Sequence, residues 1–317
     1  MGQGFERGER QQQFRQRVAT KVAWLGASIE VNLSTRHTEP GKERHILTDE
    51  AKPGSAIDEV VFRSPPLVEM VLAVAFEPVQ ELGVVALGDL WRRYFSHLKN
   101  VEEKPRIEMP VEQFDGAGVP SFSFQIAQTV PIPRLWFQDP AGGHLVQIQN
   151  NWFARNWRKS DADYPMYPAL RSDFAADLDR VSEYIESEGL GHFMPTQCEI
   201  TYINHIPGNS ASDVLGVLGR PQGDLPAPEG LNLNLSYPIR DGGESIGRLH
   251  VAASTARNKA TSEPIVVLNI TSRGRPLSEG LPGALGFLDL GATWCLRAFD
   301  QITRPEMHKL WGRVDGG

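Results

Sequence analysis

Arginine, tryptophan and amide side chains are concentrated between residues 134 and 158, and they are the side chains best suited to bind a ligand. Guanidinium groups and amides bind phosphate and carboxylate, and indole rings stack on bases. The candidate ligand-binding residues are Arg134, Trp136, Gln147, Gln149, Asn151, Arg155, Asn156, Trp157 and Arg158.

These candidates fall in a stretch with the two-residue alternation of β-strands. Gln147, Gln149 and Asn151 would share one face of a strand, because successive side chains point to opposite faces. Asn232 and Asn234 would do the same on a later strand. If the two strands are neighbours, they form an amide-lined face or pocket. The alternative is that the tryptophans belong to the core and the amides merely face water.

The familiar motifs of nucleotide, nucleophile and metal sites do not occur in the sequence. It contains no GxxxxGK[ST] loop and no GxSxG turn. One group of possible metal ligands lies within fourteen residues: His192, Cys198, Glu199 and His205. Its spacing is not that of a zinc site, and on a strand Cys198 would point away from Glu199 and His205. We therefore expect no metal, no cofactor and no catalytic residue.

Hydrophobic periodicity predicts the elements that must position the candidate residues. Alternating apolar residues predict strands in the segments 67–76, 122–130, 134–137, 145–153, 196–206, 231–239, 246–254 and 264–273. Apolar residues spaced three and four apart predict helices in the segments 87–98, 167–185 and 285–302. Pro305 is tolerated in a first helical turn, so a short further helix is predicted there, with Thr303 and Glu306 as its capping box.

The order of these elements, with strands in runs that long helices close, indicates an α+β fold. We predict antiparallel sheet covered on one face by long helices, arranged as two sheet-plus-helix halves. Residues 57–207 would form the N-terminal half, residues 208–228 a connecting loop and residues 229–317 the C-terminal half. A parallel doubly wound fold would alternate strand and helix strictly, and this chain does not.

The 317 residues have the composition of a folded globular protein. With 40% hydrophobic residues and two cysteines, the chain is neither disordered nor a disulfide scaffold. Its net charge of −7 argues against a nucleic-acid coat protein. No apolar run approaches the roughly 18 residues of a membrane span, and no signal peptide is recognisable. We therefore expect a cytoplasmic protein without a membrane partner.

Residues 1–56 differ from the remainder of the chain. They hold nine Lys and Arg against seven Asp and Glu, so subtracting their charge of +2 from −7 leaves −9 for the rest. Because the two signs are mixed along the segment, we interpret it as a flexible or mis-annotated N-terminal extension rather than a basic docking arm.

Distinctive short motifs run through residues 57–312. They are Pro65-Pro66-Leu67-Val68-Glu69, Arg134-Leu135-Trp136-Phe137, Gln147-Ile148-Gln149-Asn150-Asn151-Trp152-Phe153, Asn156-Trp157-Arg158, Tyr164-Pro165 with Tyr167, Tyr202-Ile203-Asn204-His205-Ile206, and Glu306, His308, Trp311 and Gly312. In these motifs the chain resembles a sporadically distributed bacterial family of unknown function, known only by a TIGR serial number. The resemblance implies no activity, cofactor or catalytic residue, and residues 1–56 have no counterpart in it. Sporadic occurrence is typical of genes in mobile or defence-type clusters.

The leading hypothesis is a non-enzymatic binding or accessory protein, with an unknown protein or a small ligand as its partner. On this hypothesis, replacing Arg155 and Arg158 with alanine leaves the fold intact and abolishes the protein's cellular phenotype. The first alternative is single-stranded nucleic-acid binding through the same residues, which the charge of −9 disfavours.

The second alternative is an enzyme with a histidine general base beside a glutamate. The possible partners are His205, His308, Glu199 and Glu306. Glu306 and His308 are two residues apart, and such a pair does not share one face of a helix.

Overall fold

The fold is seen in a computed structural model of the chain, which describes residues 61–108, 110–114, 132–160, 164–208, 210–219, 228, 230–258 and 261–314. The predicted N-terminal extension at 1–56 and the predicted strand at 122–130 lie outside these residues.

The described residues form strands and helices that largely coincide with the predicted segments. The strands are β1 (Val61–Phe62), β2 (Leu67–Phe76), β3 (Asn100–Lys104), β4 (Arg134–Gln138), β5 (His144–Gln149), β6 (Trp152–Arg158), β7 (Pro195–Pro207), β8 (Asn232–Asp241), β9 (Glu244–Arg257), β10 (Pro264–Gly274) and β11 (Arg313–Val314). The helices are α1 (Val84–Leu90, continued by a π-helical turn at Trp91–Phe95), α2 (Met166–Ser187), α3 (Ala211–Val214), α4 (Gly280–Ile302) and α5 (Pro305–Leu310).

Nine of these strands form one sheet in the order β3-β4-β5-β6-β2-β7-β10-β9-β8, and every neighbouring pair in it is antiparallel. The short strands β1 and β11 pair with each other as a separate two-stranded sheet. The prediction of an α+β fold with antiparallel sheet is therefore confirmed.

The strand order is the same on both sides of the central pair β2 and β7. On one side the order is β2-β6-β5-β4, and on the other it is β7-β10-β9-β8. Along the chain, each of these sets is followed by a long helix, α2 after β6 and α4 after β10. In both sets, one strand is followed along the chain by the three further strands of the set and then by a long helix. The sequence nevertheless shows no repeat at a fixed period.

Alternation of side-chain size decides which side of the sheet packs against the helices. In β2, Met70, Leu72 and Val74 are buried on one face, where their cross-strand neighbours lie on β6 and β7. Helix α2 packs on β6, and α4 packs on β7, β9 and β10. On α4 the thiol of Cys295 points at the Ile200 carbonyl of β7, 3.9 Å away.

Burial raises the pKa of Cys295, like that of Cys198, to about 12, so neither thiol is a nucleophile at neutral pH.

Several local predictions differ from the structure. The predicted strand 145–153 is divided between β5 and β6, and β1, β11 and α3 were not predicted. Strand β3 was not predicted, because its sequence Asn-Val-Glu-Glu-Lys at the sheet edge carries only one apolar residue. The capping box was wrong: Arg304 is the N-cap of α5 and makes no side-chain capping bond. The Thr303 hydroxyl instead donates to the Phe299 carbonyl at 2.5 Å and contacts His308 Nε2 at 2.8 Å. Among the described helices none is both long and apolar enough to cross a membrane.

Candidate functional site

The face of the sheet opposite α2 and α4 is lined by polar side chains, and we call it the polar face. The strand register places these side chains on one side, because residues paired across antiparallel strands point to the same face. Its polar members include Glu69, Arg134, Trp136, Gln147, Gln149, Asn156, Arg158, Gln197, Glu199, Thr201, Arg248, His250, Thr271 and Arg273.

A chain of hydrogen bonds crosses four adjacent strands on this face. Arg134 donates to Gln147 Oε1 at 3.0 Å, and Gln147 donates to Asn156 Oδ1 at 2.7 Å. Asn156 in turn donates to Glu69 Oε1 at 2.6 Å, and Arg158 donates to the same oxygen at 3.0 Å. Gln147 and Asn156 are buried. This chain of hydrogen bonds holds each of these side chains in one orientation.

Trp136 lies beside this chain of hydrogen bonds and is contacted by three cations. Lys104 Nζ lies 4.7 Å from the centre of a Trp136 ring, and the guanidinium carbons of Arg134 and Arg158 each lie 5.4 Å from it. These distances are within the range of cation–π attraction. Within the described part of the chain, Trp136 Nε1 and Arg134 Nε have no hydrogen-bond partner.

The residues that follow β3 cross the polar face, and we call residues 105–114 the crossing segment. Ile107 packs against the small apolar cluster of Ala73, Trp152 and Ala154. Gln149 bonds both backbone groups of Ile107: its Oε1 accepts from the amide at 3.2 Å, and its Nε2 donates to the carbonyl at 2.9 Å.

A second glutamine holds the far end of the crossing segment in the same way. Gln197 Nε2 donates to the Pro110 carbonyl, and Gln197 Oε1 accepts from the Glu112 amide, both at 2.9 Å. Two glutamine side chains thus bind backbone groups at both ends of the crossing segment.

The carboxylate of Glu112 is held in a cluster of basic side chains on β9 and β10. Its oxygens lie 2.7 Å from Arg248 Nη1, 2.5 Å from His250 Nε2 and 3.2 Å from Arg273 Nη1. Arg273 also bonds Glu199 at 2.6 Å. The Glu112 side chain is only 7% exposed. We call Arg248, His250 and Arg273 the basic cluster.

Burial raises the pKa of Glu112, but the hydrogen bonds from His250 and Arg248 and the charge of Arg273 outweigh it and lower the pKa to about 2. Since this pKa lies below the ordinary value, the carboxylate stabilises the fold fully at pH values above about 4.5. That contribution falls as the pH drops towards 2.

We therefore expect Glu112→Gln to lower the free energy of unfolding by about 2 kcal/mol at pH 7. The difference from the wild type should shrink below pH 4.5, because protonation removes the same charge from the wild type. Urea unfolding of both proteins from pH 7 to pH 3 measures it. Glu108→Gln is the control, because the Glu108 side chain is 86% exposed. If the difference in free energy of unfolding between the two proteins stays constant from pH 7 to pH 3, the charge of Glu112 does not contribute to stability.

Six of the nine predicted site residues lie on the polar face: Arg134, Trp136, Gln147, Gln149, Asn156 and Arg158. Asn151 lies in the turn between β5 and β6, where its Oδ1 accepts from Gln149 Nε2 at 2.8 Å. Arg155 and Trp157 point to the opposite face. Arg155 pairs with Asp173 and Asp177 of α2, and Trp157 packs against Tyr164, because their odd positions on β6 face the helices.

The structure separates the strands that the amide hypothesis placed together. Asn232 and Asn234 lie on β8, at one edge of the sheet, whereas Gln147 lies on β5, near the other edge. Their side chains share a face, yet they do not enclose a pocket. Sequence reasoning missed Glu112 and the basic cluster. Alternation in Arg248-Leu249-His250-Val251 could have placed Arg248 and His250 on one face, whereas nothing in the sequence around Glu112 marks it as their partner.

The histidines and glutamates of the enzymatic alternative do not form catalytic pairs in the structure. His205 is exposed near the end of β7, and Glu199 is bonded to Arg273 at 2.6 Å. His308 contacts Thr303, and burial lowers its pKa although Asp300 opposes the shift. Of the four possible metal ligands, Cys198 is buried on the helix side of β7, whereas Glu199 and His205 are on the polar face.

An apolar cavity lies on the helix side of the sheet. Its lining consists of Val61, Phe62, Pro65, Leu67, Tyr164, Met166, Tyr167, Pro168, Tyr202, Asn204, Cys295, Leu296 and Phe299. Among its polar members, Asn204 donates to the Leu268 carbonyl at 3.1 Å, and burial raises the pKa of Tyr202 and of Cys295. This cavity therefore offers space without charged groups, whereas the polar face offers directed hydrogen bonds and charge.

The chain matches no family model, and no curated protein or solved structure is significantly similar to it.

Proposed function

We propose that this chain is a non-enzymatic binding protein, an accessory protein of a mobile or defence-type gene cluster, that holds a protein partner on its polar face. The observation that carries the proposal is the chain of hydrogen bonds from Arg134 through Gln147, Asn156 and Glu69 to Arg158. These polar side chains lie on the sheet face against which α2 and α4 do not pack. An ordered polar network on such a face is suited to contact with another molecule. Two long helices that cover only one face of the sheet, in two sheet-plus-helix halves, fit this role, as does the cytoplasmic location predicted from the sequence.

The distribution of charge supports a protein partner over nucleic acid. Arg158 is paired with Glu69, and Lys104 is paired with Glu102 at 2.5 Å. The ring of Trp136 is contacted by cations and is therefore not free to stack on a base. Nucleic-acid binding needs basic side chains whose charge is not already neutralised. Single-stranded nucleic acid remains the alternative that the experiment must distinguish.

Quantitative co-purification from the native host tests the proposal. In a chain with Arg134→Ala and Arg158→Ala, the amount of retained partner should fall by about tenfold or more relative to the wild type. The reason is that neither guanidinium group can then form a charge-assisted hydrogen bond with the partner. The matched control carries Arg92→Ala and Arg180→Ala, two exposed arginines on α1 and α2 whose loss changes the net charge equally. It should retain the partner as the wild type does.

Two results would contradict the proposal. One is equal retention by the polar-face variant and the helix-side control; the other is that the wild type retains no partner above background. Nuclease treatment separates the two classes of partner, since a protein stays bound after it and nucleic acid does not.

A further inference from the structure

The crossing segment occupies the polar face in the way that a bound peptide would. We infer that it is an intramolecular substitute for the partner, and that the partner presents an extended acidic peptide segment to the same residues. This inference rests on the proposed function and specifies the chemistry of the partner.

The path of the crossing segment shows that the polar face holds a peptide backbone across its strands. Ile107 lies over β6 and β2, and the side chain of Glu112 reaches β9 and β10. The backbone groups of Ile107, Pro110 and Glu112 bond side chains of β5 and β7. The sheet therefore binds this segment through side chains rather than through a strand ladder.

The contacts that hold this backbone do not depend on the sequence of the segment. Gln149 and Gln197 each bond one amide and one carbonyl of it. Any extended peptide presents the same groups at the same spacing, apart from proline, which lacks the amide. A partner segment can therefore form all four hydrogen bonds once the crossing segment has left.

Specificity comes from two side chains of the segment that are five residues apart. Ile107 packs between Ala73, Trp152 and Ala154, which form a small apolar site. Glu112 supplies the negative charge to the basic cluster. The partner segment would therefore carry an apolar residue followed, five positions later, by a carboxylate.

Charge in the basic cluster requires an anionic occupant. Without Glu112, the Glu199 carboxylate would be the one counter-charge that the described residues place beside the guanidinium groups of Arg248 and Arg273. Arg273 is 15% exposed and Arg248 is 25% exposed, so water replaces the lost carboxylate only in part. A partner carboxylate restores this pairing, whereas a neutral peptide leaves it unsatisfied.

A binding measurement with a synthetic peptide tests the inference. The probe is a fluorescein-labelled peptide with the sequence of residues 105–114, followed by anisotropy. The full chain is prepared as the wild type and as two released chains, one with Glu112→Gln and one with residues 106–112 replaced by seven glycines and serines. Circular dichroism and urea unfolding establish that each variant is folded. The Glu112→Gln chain keeps a folded test available if the glycine and serine chain fails to fold.

The released chains should bind the peptide at least about tenfold more tightly than the wild type, because their own segment no longer competes fully. A peptide with the substitution Glu112→Gln should bind at least about tenfold more weakly than the original, and a peptide with Glu108→Gln should bind equally well. Adding Arg248→Ala and Arg273→Ala to a released chain should abolish binding.

Three results would overturn the inference: no saturable binding by the folded released chains, equal binding of the original peptide and the peptide with Glu112→Gln, or binding of an oligothymidylate in place of the peptide. The proposed function is judged separately. Suppose that the chain with Arg134→Ala and Arg158→Ala retains less partner in the co-purification, but the released chains do not bind the peptide. The proposal of a protein partner would then stand, and the inference of an acidic peptide segment would be rejected.

Discussion

Arg155→Ala is expected to lower the free energy of unfolding by about 3 kcal/mol, whereas Arg158→Ala should lower it by less than about 1 kcal/mol. The two arginines are three residues apart on β6 and lie on opposite faces. The Arg155 side chain is 12% exposed and pairs with Asp177, whose side chain is 3% exposed. The Arg158 side chain is 29% exposed and pairs with the half-buried Glu69.

The cost of losing Arg155 comes from the carboxylate that it leaves behind. Burial already raises the pKa of Asp177, against the opposing effect of Arg155. Without Arg155, Arg180, whose side chain is 44% exposed, is the one cation that the described residues leave paired with this buried charge. Breaking a buried pair by removing one partner typically costs about 3–5 kcal/mol. Urea unfolding monitored by circular dichroism measures the difference.

Two further variants control this prediction. Asp173→Ala should cost less than about 1 kcal/mol, because the Asp173 side chain is 54% exposed and Arg155 keeps Asp177. Replacing both Arg155 and Asp177 with apolar residues of similar volume should recover most of the loss, because no buried charge then remains. Equal losses for Arg155→Ala and Arg158→Ala would show that the pairing with α2 does not stabilise the fold.

Gly274→Ala is the second substitution with a large expected effect, at about 3 kcal/mol or more. Gly274 of β10 pairs with Gly247 of β9, and the ring of Phe287 on α4 packs over this pair. A Cβ atom at Gly274 would lie 2.4 Å from that ring and 2.3 Å from the Ile246 carbonyl oxygen. Helix and sheet would have to separate locally, since neither the backbone nor a packed ring can give way cheaply.

Gly88→Ala is the control for this prediction. Gly88 lies inside α1, and a Cβ atom there would have no neighbour within 4 Å. Alanine should therefore raise the free energy of unfolding by about 0.5–1 kcal/mol, because it restricts the unfolded chain and favours the helix. Thermal and urea unfolding compare the two variants. A tolerated Gly274→Ala would mean that α4 does not pack closely on β9 and β10.

Local patterns predicted most of the individual elements. Strand β2 could be predicted because prolines precede and follow a run with alternating large side chains, and the structure places it at Leu67–Phe76. The alternation in β8 likewise predicted one wet face, and Asn232 and Asn234 are exposed there while Leu233 and Leu235 pack against the core. Such patterns are local, so they can be read without knowing the neighbouring strands.

The order of the strands could not be predicted, and the candidate site depended on it. The sequence grouped Arg155 with Asn156 and Arg158 as candidate ligand-binding residues, yet strand alternation turns Arg155 towards α2. The earlier expectation that Arg155→Ala leaves the fold intact is therefore replaced by a large loss of stability. Glu112 and Arg248 are 136 residues apart in sequence. Only the pairing of β7, β10 and β9 brings them together.

Contact between the polar face and a protein partner is the central claim, and site-specific photo-crosslinking in the native host tests it most directly. A photoreactive residue replaces Asn234 or His205, which are exposed on the polar face, or Glu183, which is exposed on α2. We predict a discrete protein adduct from the first two positions, weakened when Arg134 and Arg158 are replaced with alanine, and none from Glu183. Adducts of equal yield from Glu183, or none from Asn234 and His205, would contradict the account.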